Sequence, residues 1–271
     1  MMSESQKAAA EAVKGLLSLA DGFPFASERD KSAWLAGLLT VAFRQKIRGP
    51  VPMFWIWGEP STGKTLLANH TAHLSTQKEP CRIASSQTAI DAAVRAQTPM
   101  VIIDNAQPLN KAICSLLCFM ITSGEIAERR VCGGGCKYHP NTVFWANGTG
   151  VYASSDLRRR IIPIELSARL IEDVHNGWLK PVRSEEADRA LLIQNARLVW
   201  DNFNLGLVHS ILDAQRWSYR RNDFFSQRFT KWSSLIREPL IFAGLPDPVL
   251  FTSLDQKPRK TIPHTQPSAE Q

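Results

Sequence analysis

Met53-Phe-Trp-Ile-Trp57, followed at once by Gly58-Glu59-Pro60-Ser61-Thr62-Gly63-Lys64-Thr65-Leu66, is the stretch whose reading decides the fold. The first five residues are an apolar run of strand type, and helical spacing begins at Lys64 and continues to about Thr76. Between them, Gly58 to Thr65 fits G-x-x-x-x-G-K-[ST] without a mismatch, in the strand, loop and helix context that gives the pattern its meaning. A tight loop of glycines and small residues lets backbone N–H groups converge on phosphates, and the following helix adds its positive N-terminal end. Residues Gly58, Glu59, Pro60, Ser61, Thr62, Gly63, Lys64, Thr65 and Leu66 are therefore the expected nucleotide cradle, with Mg-ATP as its cofactor. In that cradle Lys64 would neutralise the β- and γ-phosphates and the Thr65 hydroxyl would ligate Mg2+. A chance turn is the competing reading; the strand and helix on either side count against it.

Downstream, Val101-Ile102-Ile103-Asp104 is an apolar strand that ends in a carboxylate, where an acid that holds Mg2+ directly or through water is expected. Further short apolar runs at Cys81 to Ala84, Thr142 to Ala146 and Ile161 to Leu166 alternate with helical patterns at Thr88 to Gln97 and Lys111 to Thr122. Such alternation predicts an α/β fold, a P-loop NTPase-like parallel sheet with flanking helices and ligands at the carboxyl ends of its strands. Before the loop, Asp30 to Ile47 is apolar at helical spacing and stops at Gly49-Pro50; after Ser184 the patterns are helical only, over Ala187 to Asp213 and Phe224 to Phe242. The expected division is an N-terminal helical segment over 1–50, the ATPase core over 51–170, a helical C-terminal region over 171–250, and a polar, proline-containing, disordered tail over 251–271.

The chain has 271 residues, 44% of them hydrophobic, which is enough for a substantial core. A formal charge of +7 favours a polyanionic partner. The N-terminus lacks a basic head followed by an apolar run, and the most apolar stretch, Trp34 to Phe43, is too short to cross a bilayer. A cytoplasmic protein with no membrane partner is expected, with Cys81, Cys114, Cys118, Cys132 and Cys136 reduced. Cys114/Cys118 and Cys132/Cys136 are two C-x-x-x-C pairs within loose limits for zinc, but the first pair lies in an apolar helical run where free cysteine packs as a small hydrophobe.

Thr142-Val-Phe-Trp-Ala-Asn147-Gly-Thr149 and Asp156-Leu-Arg158-Arg159-Arg160-Ile-Ile-Pro-Ile-Glu-Leu166 resemble the sensor 1 strand and arginine-finger segment of AAA+ P-loop ATPases. The form is that of the helicase part of phage, plasmid and mobile-element primase-helicases, which are superfamily 3-like. Phe23 to Ala36 and Trp232 to Pro248 are similar to flanking segments of the same proteins, so the likeness covers roughly residues 20 to 250. The resemblance implies that Asn147 acts as sensor 1 and that Arg159 or Arg160 reaches the ATP of a neighbouring subunit, which requires a homo-oligomeric ring, a hexamer by the same analogy. Residues 125–143, two extended segments around Gly133-Gly134-Gly135, read as a β-hairpin. In superfamily 3 helicases such a hairpin lines the pore, so Arg129, Arg130, Lys137 and His139 become candidates for phosphate contacts with single-stranded DNA, and Tyr138 for stacking. An ordinary surface hairpin is the alternative. Arg216 to Trp232 also interleaves basic and aromatic residues, and reads better as helix core with a basic wet face.

The function implied is a ring-forming ATPase acting on DNA, a replicative helicase or translocase of a mobile genetic element. One position departs from the pattern: Asn105 stands where many AAA+ proteins carry the water-activating glutamate. Glu59 and Glu125 are replacements by position alone. Asn105 keeps a second reading open, a non-motor ATP switch such as a loader or assembly factor that works with a separate primase or helicase. A metabolic kinase is a weaker third, because it would leave Asn147 and the arginine run without roles.

Overall fold

The computed structural model describes residues 2–78, 80–106, 108–123, 126–129, 135–138, 141–167, 184–209 and 223–249. Helix α1 (Glu4–Leu17) starts in a capping box: Ser3 Oγ accepts from Gln6 N at 3.2 Å, and Gln6 Oε1 accepts from Ser3 N at 3.0 Å. Its buried stripe, Ala9, Ala12, Val13 and Leu16, has helical spacing and faces the long C-terminal helix introduced below. Helix α2 (Glu28–Ala42) is capped by Ser27 and is buried from Ser32 to Val41, as befits a helix lying on a sheet. Its contact with the sheet is close at Gly37, where a Cβ would stand 2.5 Å from the Trp145 ring.

The sequence predicts that this helix runs to Ile47, but it ends at Ala42. Phe43 leaves helical geometry, a 3-10 turn follows over Arg44–Lys46, and the Arg44 guanidinium folds forward to the carbonyls of Ile47 and Gly49. A side chain that satisfies carbonyls ahead of it replaces the helical bonds that would have carried α2 to the Gly49-Pro50 stop.

The sheet has five strands, all parallel: β1 (Met53–Gly58), β2 (Cys81–Ile83), β3 (Met100–Ile103), β6 (Val143–Gly148) and β7 (Ile161–Leu166), in the order β2-β3-β6-β1-β7. Helices α3 (Lys64–Thr76), α4 (Gln87–Arg95), α5 (Lys111–Thr122) and the short α6 (Ser155–Arg158) connect them. Parallel strands buried on both faces read as continuous apolar runs, and β1, β3 and β6 are buried nearly throughout. Phe54 stacks on Trp145 at 5.0 Å between centroids, and Trp34 on α2 donates through Nε1 to Thr71 Oγ1 of α3 at 2.9 Å. Between α5 and β6 the expected hairpin is present as β4 (Ile126–Arg129) antiparallel to β5 (Gly135–Tyr138), with Ile126 opposite Tyr138 and Arg129 opposite Gly135.

The open edge of β7 is covered by residues 24–30. Ala26 N donates to Glu165 O at 3.0 Å, Ser167 N to Pro24 O at 2.7 Å, and Glu165 N to Asp30 Oδ1 at 2.9 Å, while Arg29 Nη1 donates to Pro163 O. An edge strand whose ladder groups are taken in this way cannot template another chain.

The C-terminal part packs onto the same side. Helix α7 (Glu185–His209) lies against α1, and α8 (Phe224–Arg228) leads into further helical turns to Phe242. The single helix expected over Phe224 to Phe242 is broken at Phe229 (φ −115°, ψ 47°) and widens into a π-helical turn over Ser233–Arg237. Phe225, Phe229 and Trp232 are buried, as the core reading of this stretch expects, while residues 216–222 and the Phe224 side chain lie outside the described residues. Trp232 Nε1 donates to Thr40 Oγ1 of α2 at 2.7 Å, Ser32 Oγ to Pro246 O at 2.7 Å, and Arg29 Nη2 to Pro248 O at 2.8 Å. Among the described residues no helix is long and apolar enough to cross a membrane.

Candidate functional site

The P-loop leaves β1 at the carboxyl edge of the sheet through backbone that few residues tolerate. Gly58 has φ +154°, and a Cβ there would meet Leu166 O at 2.4 Å; Ser61 and Gly63 follow at φ +63° and +83°. Gly63 is the N-cap of α3 and supplies no side-chain cap, so the first-turn N–H groups of that helix are turned toward the loop with no side-chain acceptor. Thr62 Oγ1 donates to Glu59 O at 3.0 Å, which folds the loop over. The Lys64 ammonium lies within that fold, donating to Gly58 O at 3.0 Å and Glu59 O at 2.6 Å. Burial pushes the Lys64 pKa below the usual lysine value, and the Glu59 carboxylate partly opposes this.

Thr65, Asn105 and Asn147, far apart in the sequence, are joined here through the Asn147 side chain. Because β6 lies between β1 and β3, Asn147 at the end of β6 sits between the P-loop and Asp104. Its side chain is 2% exposed. Asn147 Nδ2 donates to Thr65 Oγ1 at 3.3 Å, and Asn147 Oδ1 accepts from Asn105 N at 2.6 Å. The same Asn105 N–H lies 3.0 Å from Asp104 Oδ1, and Asn147 O accepts from Ala106 N at 2.7 Å. Asn105 adopts φ +47°, a left-handed conformation that asparagine tolerates better than most residues, with its side chain exposed. The position therefore contributes a backbone N–H to the network, and the residue type at 105 matches its backbone geometry.

This donor set could hold a polyphosphate on Lys64 and the α3 N-terminus, and a divalent cation between the Thr65 hydroxyl and Asp104. Hydroxyl and carboxylate oxygens are the ligands that Mg2+ takes, and the Lys64 ammonium already lies within the fold of the loop.

The arginine run divides by burial. Arg160 is 7% exposed, and its Nη1 donates to Asp156 Oδ1 at 2.6 Å and to Asp156 O; this hydrogen bond holds the Asp156 carboxyl below the usual carboxylate range. Arg158 donates to Val151 O at 3.3 Å. Arg159 is exposed, and among the described residues it has no hydrogen-bond or ion-pair partner. Glu59 is exposed at the mouth of the loop, whereas Glu125 lies outside the described residues.

Of the residues read as DNA contacts, Arg130 and His139 lie outside the described residues, as do the side chains of Arg129 and Lys137; the backbones of the last two are in β4 and β5. Cys132 and the Cys136 side chain are outside as well. Cys114 and Cys118 are buried on α5, where burial raises the Cys118 thiol from 9.0 to about 11.

Sequence reasoning missed Arg82. From β2 its guanidinium donates to Asn69 Oδ1 of α3 at 2.6 Å and stands 3.9 Å from Asp104 Oδ2. A lone arginine in a three-residue strand carries no periodic signal, and Asn69, four residues after Thr65 on the same helical face, was the available hint.

No protein-family model matches the chain, and no curated protein matches it in sequence. Among solved structures similar to it are two of one protein region. One is the A-form apo structure of the NrS-1 C-terminal region, 16% identical over 72% of this chain and 44% of that one, with a TM-score of 0.41. The other is an A-form apo structure of the same region, residues 305–718, 19% identical over 72% of this chain and 43% of that one, with a TM-score of 0.35. The chain thus spans less than half the length of either.

Proposed function

We propose that this protein binds Mg-ATP on the loop Gly58–Leu66 and hydrolyses it as a ring-forming ATPase that acts on DNA, in the manner of a replicative helicase or translocase of a mobile genetic element. The observation that carries the nucleotide part is the junction of Thr65, Asn147 and the Asp104-Asn105 backbone: three separate motifs converge on one point next to the lysine of the P-loop. Mg2+ bound there would neutralise charge on the transferred phosphoryl group. Lys64 and the α3 N-terminus would bind the phosphates, Thr65 and Asp104 would fix the cation, and buried Asn147 would hold these parts in register.

The DNA part rests on the AAA+ resemblance, on the hairpin β4–β5 with its Arg129, Arg130, Lys137 and His139, and on the net charge of +7. The ring part rests on the AAA+ resemblance and on Arg159, which is exposed and unbonded among the described residues, whereas Arg160 is spent on Asp156. Of the two arginines, the exposure of Arg159 favours it as the one that would complete a neighbour's site.

Asn105 favours a second reading. No carboxylate follows Asp104, and the exposed Asn105 side chain cannot act as a base, so a switch that binds ATP, assembles and recruits a primase or helicase partner would tolerate this site. ATP turnover of the wild type and of Lys64→Ala, each with and without single-stranded DNA, separates these possibilities. A motor shows DNA-stimulated turnover that Lys64→Ala abolishes and unwinds a tailed duplex. A switch shows ATP-dependent assembly without unwinding. Equal turnover in wild type and Lys64→Ala removes the ATPase reading.

A further inference from the structure

We propose that Arg82 is a counter-cation built into this site, which neutralises Asp104 while no divalent metal is bound and is exchanged for the metal when it arrives. The inference deepens the proposed function and rests on its assignment of Thr65 and Asp104 as the metal-holding pair.

The placement of Arg82 is specific. It is the middle residue of β2, in register with Ile102 two residues before Asp104 on the adjacent strand. One end of the guanidinium is anchored: Nη2 donates to Asn69 Oδ1 at 2.6 Å. Asn69 follows Thr65 by one helical turn of α3, so the anchor and the hydroxyl share a face of the helix. The other end, Nη1, stands 3.9 Å from Asp104 Oδ2. The two carboxylate oxygens of Asp104 are therefore differently engaged, Oδ1 by the Asn105 N–H at 3.0 Å and Oδ2 by the Arg82 charge.

A separation of 3.9 Å is the outer limit of an ion pair and not a bidentate fork, so the interaction is mainly coulombic and leaves the lone pairs of Oδ2 open to a better ligand. The Arg82 and Asp104 side chains are 42% and 34% exposed, so water and a hydrated cation can reach the gap. A fixed positive charge at this distance has two opposite effects. It shields arriving phosphates from the Asp104 carboxylate when metal is absent, and it competes with a cation for that carboxylate when metal is present. A purely structural tie between β2 and α3 would produce neither split.

The test is a pair of titrations on the full chain with a fluorescent ATP analogue, one at fixed nucleotide with rising Mg2+ and one at rising nucleotide in EDTA. Wild type is compared with Arg82→Ala, Arg82→Lys and the near-isosteric, uncharged Arg82→Gln. The expected result is that Arg82→Ala and Arg82→Gln lower the half-saturating Mg2+ concentration about two- to fivefold, the range of a partly exposed ion pair, and weaken nucleotide binding in EDTA by a similar factor. Arg82→Lys stays near wild type, and the differences shrink as ionic strength rises. Unchanged or parallel shifts of both affinities in the neutral variants overturn the counter-cation role while leaving the nucleotide site standing. Failure of the wild type itself to bind the analogue with Mg2+ overturns the site, and Arg82's role with it.

Discussion

The brace that the segment from Phe23 to Ala36 and the C-terminal residues 223–248 form beside β7, and the carboxyl edge of the sheet, are made of the same groups, arginine, aspartate and backbone carbonyl, and put them to opposite uses. In the brace, Arg237 is buried and all three guanidinium nitrogens donate: Nε and Nη2 to Asp247 at 2.9 and 2.7 Å, and Nη1 to Asp223 at 2.8 Å and Ser226 at 2.7 Å. Burial alone would lower its pKa, but the bonds and charges of Asp247 and then Asp223 outweigh this and hold it above the ordinary arginine value. At the carboxyl edge, the Lys64 ammonium has, among the described residues, only the carbonyls of its own loop and a distant hydroxyl, Asp104 has a backbone N–H and a guanidinium 3.9 Å away, and Ser61 and Asn105 sit at positive φ. Mutual saturation stabilises a buried charge; under-used donors and backbone strain are what a binding site retains for its ligand.

Five predictions, the first with a compensating second substitution, break or sharpen this contrast. The largest effect is expected in the brace: Arg237→Met strands the buried Asp247 carboxylate, and chemical denaturation should show a loss of about 3–5 kcal/mol. Restoring charge balance with Asp247→Asn in the same chain should recover part of that. In the site, Asn147→Ala removes the bridge between Thr65 and the Asn105 backbone. Turnover should fall about 100-fold, the scale of losing one preorganised donor, while stability drops by only about 1 kcal/mol.

The remaining three are smaller. Gly37→Ala pushes a methyl into the Trp145 ring and should cost about 2 kcal/mol of overpacking, read as a lower Tm. Asn105→Glu places a carboxylate beside Asp104, and on the proposed ATPase reading turnover should rise about tenfold, with a small stability penalty from the left-handed backbone. The least effect concerns Cys118, whose folded pKa is raised to about 11 from 9.0. Its stabilising contribution is complete below pH 9 and is lost as pH climbs toward 11, because the unfolded thiol releases its proton first. Cys118→Ala should flatten that part of the stability profile, and at pH 8 a thiol-alkylating reagent should modify Cys81 well before Cys118.

The strand, loop and helix around Gly58 were legible because letter pattern and periodicity agree there, and the alternation that follows was enough for a parallel sheet. What stayed hidden was tertiary in origin. No local signal states that β6 inserts between β1 and β3, yet that order is what brings Asn147 to Thr65. The helical period runs on past Ala42 and through Phe229, and the chain departs from it because Arg44 and the packing of Trp232 against Thr40 offer better partners. Arg159 and Arg160 are indistinguishable as neighbours in a basic run until burial separates them. The flanking segments Phe23 to Ala36 and Trp232 to Pro248 looked alike in having no chemistry attached; contact shows that they are two halves of one brace.

That brace also bears on the order in which the molecule is completed. The bond from Arg29 to Pro248 spans 219 positions, and the one from Ser32 to Pro246 spans 214. Closing loops of that size is slow, and during synthesis the early half of the brace leaves the ribosome long before its partner exists. The nascent sheet therefore passes through a stage with residues 24–30 already on β7 but with Arg29, Ser32 and Thr40 still waiting for their C-terminal partners, and the interval before Pro248 emerges is when a chaperone has the most to protect.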